Sequence, residues 1–352
     1  MDCNTTTHQA IVKNDTSLLH YPDGIVYKAY GGYAITTGFL IVCISHVIIA
    51  TMIIFLNSIV CHAFLKYHHN VDLPEYCVIS LSVTDLVTGV ILLYHVSNML
   101  GNYQIVEECL VRLGLGQSVG ISSFWHLCIL VLDRYIKITR PLHYPKWLSK
   151  TSIILISISI WVGCIGFGLL PLLGWTTINI HQDEFCWFFE VLSKEYLTVS
   201  MSLALGPIFA MIYMYAVIFK VARQQAKAIG NNVLPRHQHA YQSQLRQTIR
   251  LVKTVFIMIG VSVLCLIPMA IVYILHISDT PKGMTREQKG KLMMYSSGIV
   301  FLNSLINPII YAVKIPMVKR QFYKVCCWFK HRRGLRPNVI EIQLTESAQS
   351  TG

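Results

Sequence analysis

Seven apolar stretches, at roughly 34–65, 74–101, 107–139, 150–173, 196–222, 247–277 and 291–313, each run for about 22 to 33 residues with few charges. A helix of ~20 such residues is what a ~30 Å hydrocarbon layer requires. Lipid offers no partner to backbone amides, so each stretch is predicted to be a continuous helix. Composition agrees: a chain of 352 residues that is 54% hydrophobic and 13% charged is too apolar for a soluble domain of that length. The expected fold class is an all-α membrane protein, a seven-transmembrane helix bundle. There is no internal repeat and no loop longer than about thirty residues, so one bundle uses up the chain.

The first thirty residues are polar and lack a basic start followed by an apolar cleavable segment, so no signal peptide is expected. Asn4-Thr5-Thr6 and Asn14-Asp15-Thr16 read either as chance matches or as glycosylation acceptors at Asn4 and Asn14. Two of them ahead of the first span favour an outside amino terminus. The loops ITRPLHYPKWLSK and QQAKAIGNNVLPRHQHAYQSQLRQ then fall inside, with a tail carrying Lys319, Arg320, Lys324, Lys330, Arg332 and Arg333. That is the positive-inside arrangement, broken only in the first inner loop, where Asp72 and Glu75 offset Lys66. The net charge of +12 therefore reads as topology and contact with inner-leaflet lipids, not as a nucleic-acid surface. The expected organisation is a glycosylated extracellular tail (1–33), a membrane domain (34–314), a short amphipathic eighth helix on the membrane (315–330) and a cytoplasmic tail (331–352). Cys43, Cys61, Cys77, Cys128, Cys164 and Cys265 lie inside apolar runs; Cys3, Cys109 and Cys186 face the oxidising side.

The third span ends in Asp133-Arg134-Tyr135, and Cys109 lies about 25 residues earlier, roughly 37 Å of helix at ~1.5 Å per residue. An acid and a guanidinium at the end of a membrane-length segment mark an interface or a polar interior, where function concentrates. Asn57, Asp85, Trp161, Pro207, Pro268 and Pro308, the last within Asn307-Pro308-Ile309-Ile310-Tyr311, recur one per helix at membrane depth. Any one alone reads as a kink or a satisfied interior group.

Together with Arg134 and in this order, they resemble the per-helix signature of rhodopsin-like (class A) G protein-coupled receptors over about residues 30 to 330. The resemblance implies a plasma-membrane receptor without enzymatic activity or cofactor. It would turn an extracellular small-molecule ligand into activation of a heterotrimeric G protein, with arrestin and membrane lipids as further partners and no nucleic acid. It also implies residue roles. Asp85 needs a cation or a proton; in the family such an acid, with the counterparts of Ser123, Asn303, Ser304 and Asn307, surrounds an allosteric sodium ion. A protonated Asp85 in a hydrogen-bond network is the other reading. Arg134 is similar to the residue that pairs with Asp133 at rest and swings out, Tyr215 and Tyr311 moving beneath it, with Tyr135 and Pro308 in the same switch. Where many relatives clasp this arginine with an acid on the sixth helix, this chain has Thr248 between Arg246 and Arg250, which implies some ligand-free signalling. Cys109 and Cys186 resemble the pair that ties the third helix to the second outer loop. Cys326 and Cys327 follow the basic amphipathic piece that resembles the eighth helix, where they are palmitoylation sites or an unmodified pair.

The ligand is narrowed by absences. Gly116, then Gln117, stand where amine receptors carry an aspartate, and no lysine lies between Leu292 and Val313 to hold retinal. LLPLLGW (169–175), CWFFEVLSKEY (186–196) and VARQQAKAI (221–229) resemble adenosine receptors, and Phe188 stands where that group stacks on adenine, with Phe189 or Glu190 near the next contact. Tyr273 and Phe301 replace that group's purine-binding asparagine and ribose-binding histidine, which argues against adenosine. Leu266 replaces the family's toggle tryptophan. A pocket of Arg112, Gly116, Gln117, Gly120, Phe188, Phe189, Leu266, Met269, Ala270, Tyr273, Ser297 and Phe301 is therefore expected, apolar and suited to an aromatic or lipidic ligand. Arg112 is similar to an arginine that lysophospholipid receptors use for an anionic head, or is a snorkelling surface residue. A transporter, the rival class, would show paired repeats or several charges along a pathway, and only Asp85 and the Asp133-Arg134 end are of that kind.

Overall fold

A computed structural model describes residues 18–20, 26–30, 33–34, 37–66, 73–101, 105–177, 188–232, 238–280 and 283–332. Ten α-helices are present among them: α1 (Thr37–Lys66), α2 (Leu73–Gly101), α3 (Val106–Thr139), α4 (Tyr144–Trp147), α5 (Lys150–Leu169), α6 (Phe188–Val191), α7 (Lys194–Asn232), α8 (Gln238–Ile277), α9 (Arg286–Lys314) and α10 (Pro316–Arg332). Seven of them, α1, α2, α3, α5, α7, α8 and α9, are long and apolar enough to cross a membrane. They bear out the seven-helix reading, and α10 follows as the short eighth helix. Asn4, Asn14, Cys186 and the tail from 333 lie outside the described residues.

Three features go beyond the sequence reading. Ahead of α1, strands β1 (Leu18–His20), β2 (Val26–Tyr30) and β3 (Tyr33–Ala34) pair antiparallel in that order. Single helical turns, α4 and α6, punctuate the second inner and second outer loops. Helices α7 and α8 also run on past the apolar stretches into the basic connection read as a linker.

Helix starts follow local chemistry. Ser149 caps α5 by accepting from the Ser152 amide at 3.0 Å. Thr285 and Gln288 form a reciprocal capping box on α9, satisfying two amides that a helix start leaves free. Gly174, at φ +103°, takes the left-handed turn after Leu170–Leu173 that a side chain would resist. This sends Trp175 against Tyr196 at 5.6 Å between ring centroids, while Phe167 stacks on the same Tyr196 at 4.7 Å. The LLPLLGW motif is thus a corner that joins α5 to the top of α7.

Helix α3 is the axis of the bundle, with buried residues on all sides and neighbours in α2, α5 and α7. Between α3 and α5 the approach is limited only by hydrogen: a Cβ built on Gly114 would collide with the Gly168 carbonyl, and one on Gly168 with Gly114 and Ser118. Ser118 fixes the contact by donating to Gly114 O at 2.8 Å and across to Cys164 O at 2.9 Å. Small residues with a hydroxyl at the crossing are what lipid-embedded helices use, because burying apolar side chains gains nothing over lipid. Isoleucines such as Ile41, Ile48 and Ile158 accordingly face outward.

Two proline breaks are repaired from a neighbouring helix. A proline has no N–H for the carbonyl four residues earlier. In α7 Pro207 frees Leu203 O, and the indole N–H of Trp125 on α3 donates to it at 3.1 Å. In α9 Pro308 frees Ser304 O, and Nδ2 of the fully buried Asn57 on α1 donates to it at 3.2 Å. In α8 Pro268 frees Leu264 O, and no side chain donates to it among the described residues.

Candidate functional site

A cavity of about 390 Å³ opens among α2, α3, α6, α7, α8 and α9, within the size range of ligand sites. Of the twelve residues expected there, Arg112, Gly116, Gln117, Gly120, Phe188, Phe189, Leu266, Met269, Tyr273, Ser297 and Phe301 line it. Ala270 does not and is corrected. Leu266, Met269, Tyr273 and His276 share one helical face, and Ala270 lies roughly 80° round from its centre at ~100° per residue. It packs against the protein core instead. Gly116 and Gly120 would carry a Cβ into open space, so their lack of side chains is what makes room.

The middle of the cavity is crossed by a three-helix clamp. Ser200 on α7 donates to Gln117 Oε1 at 2.6 Å, and Gln117 Nε2 donates to the Tyr273 hydroxyl on α8 at 2.8 Å. Tyr273 is 3% exposed and uses its oxygen as acceptor, leaving its own O–H for a ligand acceptor. Phe188 and Phe189 of α6 close on it at 6.0 and 6.2 Å between centroids, and Phe189 stacks on His276 at 4.3 Å. Arg112 is not a snorkelling surface residue. It is 6% exposed, with Nε on Glu108 Oε1 at 3.1 Å and Nη1 at 3.1 Å from His95 Nδ1. Tyr94 donates to the same Glu108 oxygen at 2.7 Å. Cys109 is disulfide-bonded, and Cys186, its partner by resemblance, is outside the described residues.

Below the cavity Asp85 is fully buried. Ser123 donates to its Oδ1 at 3.1 Å and Asn307 Nδ2 to its Oδ2 at 2.9 Å, with Ser304 also in hydrogen-bond contact. Asn303 Oδ1 accepts from Ser262 on α8 at 2.8 Å. One carboxylate among neutral oxygens fits a monovalent cation better than a divalent one. At the inner end Arg134 Nε lies 3.6 Å from Asp133 Oδ2, and Tyr144 of α4 donates to Asp133 Oδ1 at 2.6 Å. Burial and the facing carboxylate push the Tyr144 phenol up, so it remains a donor throughout the physiological range. Tyr215 and Tyr135 pack against the same buried cluster of Ile218, Ala222 and Val252, and Tyr215 lies 5.6 Å from Phe256 between ring centroids. Tyr311 is buried, with no hydrogen-bond partner for its hydroxyl among the described residues. Nothing is described of the Thr248, Arg246 or Arg250 side chains.

The family model "7 transmembrane receptor (rhodopsin family)" matches residues 56–311, well over half of the chain. The chain belongs to that family. The receptor is similar to adenosine receptor A2a of Equus caballus, 26% identical over 309 residues that cover 82% of this chain and 73% of the relative. It is equally similar, at 26% over 305 residues, to cannabinoid receptor type 1B of Takifugu rubripes, covering 82% and 63% of the two chains. Octopamine receptor beta-2R of Chilo suppressalis matches at 25% over 302 residues, 75% and 74%. Being of this family, the receptor is a multi-pass membrane protein that couples to G proteins and is not an enzyme.

Several residues of the receptor's site carried no readable signal. His95 meets Arg112 from 17 positions away, and Ser200 meets Gln117 from 83. A serine in an apolar helix reads as filler until its partner is known. The clamp itself predicts a measurable effect. Gln117→Leu severs both hydrogen bonds and orphans two hydroxyls, and should lower the thermal midpoint of the purified receptor by the equivalent of about 1–3 kcal/mol. Tyr273→Phe, which breaks only one of the two bonds, should cost less in the same assay.

Proposed function

We propose that the receptor binds an extracellular small apolar or aromatic ligand that is not an amine, and passes the signal down α3 to a heterotrimeric G protein. The supporting observation is that α3 carries both ends of the path. Gly116, Gln117 and Gly120 line the outer cavity, while Asp133 and Arg134 form the inner ion pair. A ligand shifts such a two-state bundle by its differential affinity, on the order of 1–3 kcal/mol. Among the described residues Arg134 is held by one ion pair, at 3.6 Å to Asp133, and with Thr248 in place of an acid the resting clasp is weak, which supports basal signalling. The amino terminus is placed outside, Asp85 with Ser123, Asn303, Ser304 and Asn307 takes sodium, and the plasma membrane is the location. Asn4 and Asn14 carry glycans, and the exposed Cys326 and half-buried Cys327 on α10 are acylated.

An adenosine response is the second reading, favoured by Phe188 on the cavity wall and by the adenosine receptor likeness. Against it, the Tyr273 hydroxyl, with its oxygen accepting from Gln117, has one O–H to offer where an asparagine amide supplies both a donor and an acceptor, and Phe301 offers no polar group. A lysophospholipid reading through Arg112 meets a guanidinium already neutralised by Glu108.

Nucleotide exchange on a panel of G proteins in cell membranes tests the function. Basal exchange should exceed that of membranes lacking the receptor and fall at least threefold in Arg134→Ala at equal receptor density. Adenosine should leave it unchanged. An adenosine-stimulated rise would overturn the ligand assignment, and basal exchange unaffected by Arg134→Ala would overturn the coupling route.

A further inference from the structure

The cavity wall is graded in polarity. Along α3 it runs from Arg112 to Phe124 and along α9 from Lys289 to Phe301, each about 18 Å of helix at ~1.5 Å per residue. At the outer end stand His95, Arg112, His276 and Lys289; at the inner end Phe124, Leu266 and Phe301 offer only carbon.

The charges at the outer end do not cancel. Among the described residues Arg112 and Lys289 are the cations on the wall, and no aspartate or glutamate lines it. Glu108, just off the wall, takes Arg112. The acid near Lys289 is Asp279, and Lys194 takes it at 2.6 Å, holding its carboxyl below the usual carboxylate range. No ion pair reaches Lys289 among the described residues. His276, beside it on α8, has Nδ1 buried without a hydrogen-bond partner among the described residues. Among the described residues one ammonium is therefore left over at the mouth of an apolar cavity, next to an imidazole nitrogen that is free to bond. A cation there, partly removed from water, gains most from an anion brought in by a ligand.

We propose that the ligand is an amphiphilic anion, a carboxylate or phosphate held by Lys289 at the outer end of the cavity on an apolar body that reaches down to Phe124, Leu266 and Phe301. The assignment rests on the receptor reading above and names the chemistry of its ligand. Lys289, not Arg112, is the specificity-determining cation. The body passes the clamp of Ser200, Gln117 and Tyr273, which is where it would bear on α7 and α8.

Four probes with one monounsaturated C18 chain and different heads test this on the full chain in nanodiscs of zwitterionic lipid: oleate, 1-oleoyl lysophosphatidate, mono-oleoylglycerol and oleylamine. At least one anion should raise the thermal midpoint saturably by several degrees, while the neutral and cationic probes do not. Whichever anion acts distinguishes a carboxylate head from a phosphate. Lys289→Gln should weaken that effect at least tenfold in apparent affinity, and Lys289→Arg should keep it. Equal shifts from mono-oleoylglycerol and the anions, an anion effect intact in Lys289→Gln, or no shift from any probe would overturn the proposal. Basal exchange and its dependence on Arg134, measured without probes, report separately on the receptor reading.

Discussion

Gly114→Ala is expected to remove most of the correctly folded receptor from the membrane, at least a tenfold loss of surface protein. The added methyl would enter the Gly168 carbonyl, a backbone atom that cannot rotate away, so α3 and α5 must part along their crossing. Overfilling a packed site usually costs about 1–3 kcal/mol, and separation here also breaks the Ser118 bond to Cys164 O. That bond contributes about 1 kcal/mol more. Against a total of 5–15 kcal/mol typical of folded proteins, the sum is a large share. Gly168→Ala should behave alike, whereas Gly166→Ala, whose Cβ meets nothing within 4 Å, should be silent. Surface labelling of intact cells, with thermal midpoints on whatever is recovered, separates the three.

Asp85→Ala should be the next most damaging change. It leaves the Asn307 amide and the Ser123 hydroxyl buried without an acceptor. Each orphan costs about 1–3 kcal/mol, partly offset because a buried carboxylate is no longer present. A net loss of about 2–4 kcal/mol is expected. Asp85→Asn keeps an oxygen acceptor and should fold. It should, however, erase the rise in thermal midpoint that we expect when sodium chloride replaces choline chloride, since a cation that binds only the folded state stabilises it by mass action. A sodium effect that survives in Asp85→Asn would place the ion elsewhere.

The seven spans were readable because run length in lipid leaves little choice of structure. Their ends were less so. The polar residues from Gln224 on read as a linker, yet α7 continues to Asn232, because a helix that leaves the membrane keeps its backbone ladder in water when its residues favour it. Arg112 shows the limit for sites. Its place one turn inside Cys109 could be counted along the chain, but its burial and its pairing with Glu108 and His95 depend on α2, which no spacing within α3 reveals. Ala270 misled for the reverse reason: it is adjacent in sequence to Met269 but belongs to another face. Lys289 lies in the first turn of α9, where a polar residue reads as a helix start, and only the assembled wall shows it facing the cavity.

The capped prolines carry a mechanical consequence. In α7 and α9 the bonds from Trp125 and Asn57 act as splints across the weak point, tying each break to a helix that has no proline within the membrane. The break in α8 at Pro268 has no such splint among the described residues. Bending stiffness is therefore distributed unevenly, with α8 the compliant member and its neighbours the braced ones. Tyr273 lies five positions beyond Pro268 on one side and Ser262 six before it on the other. A push on the outer arm would swing the inner arm as a lever, with the proline as its fulcrum.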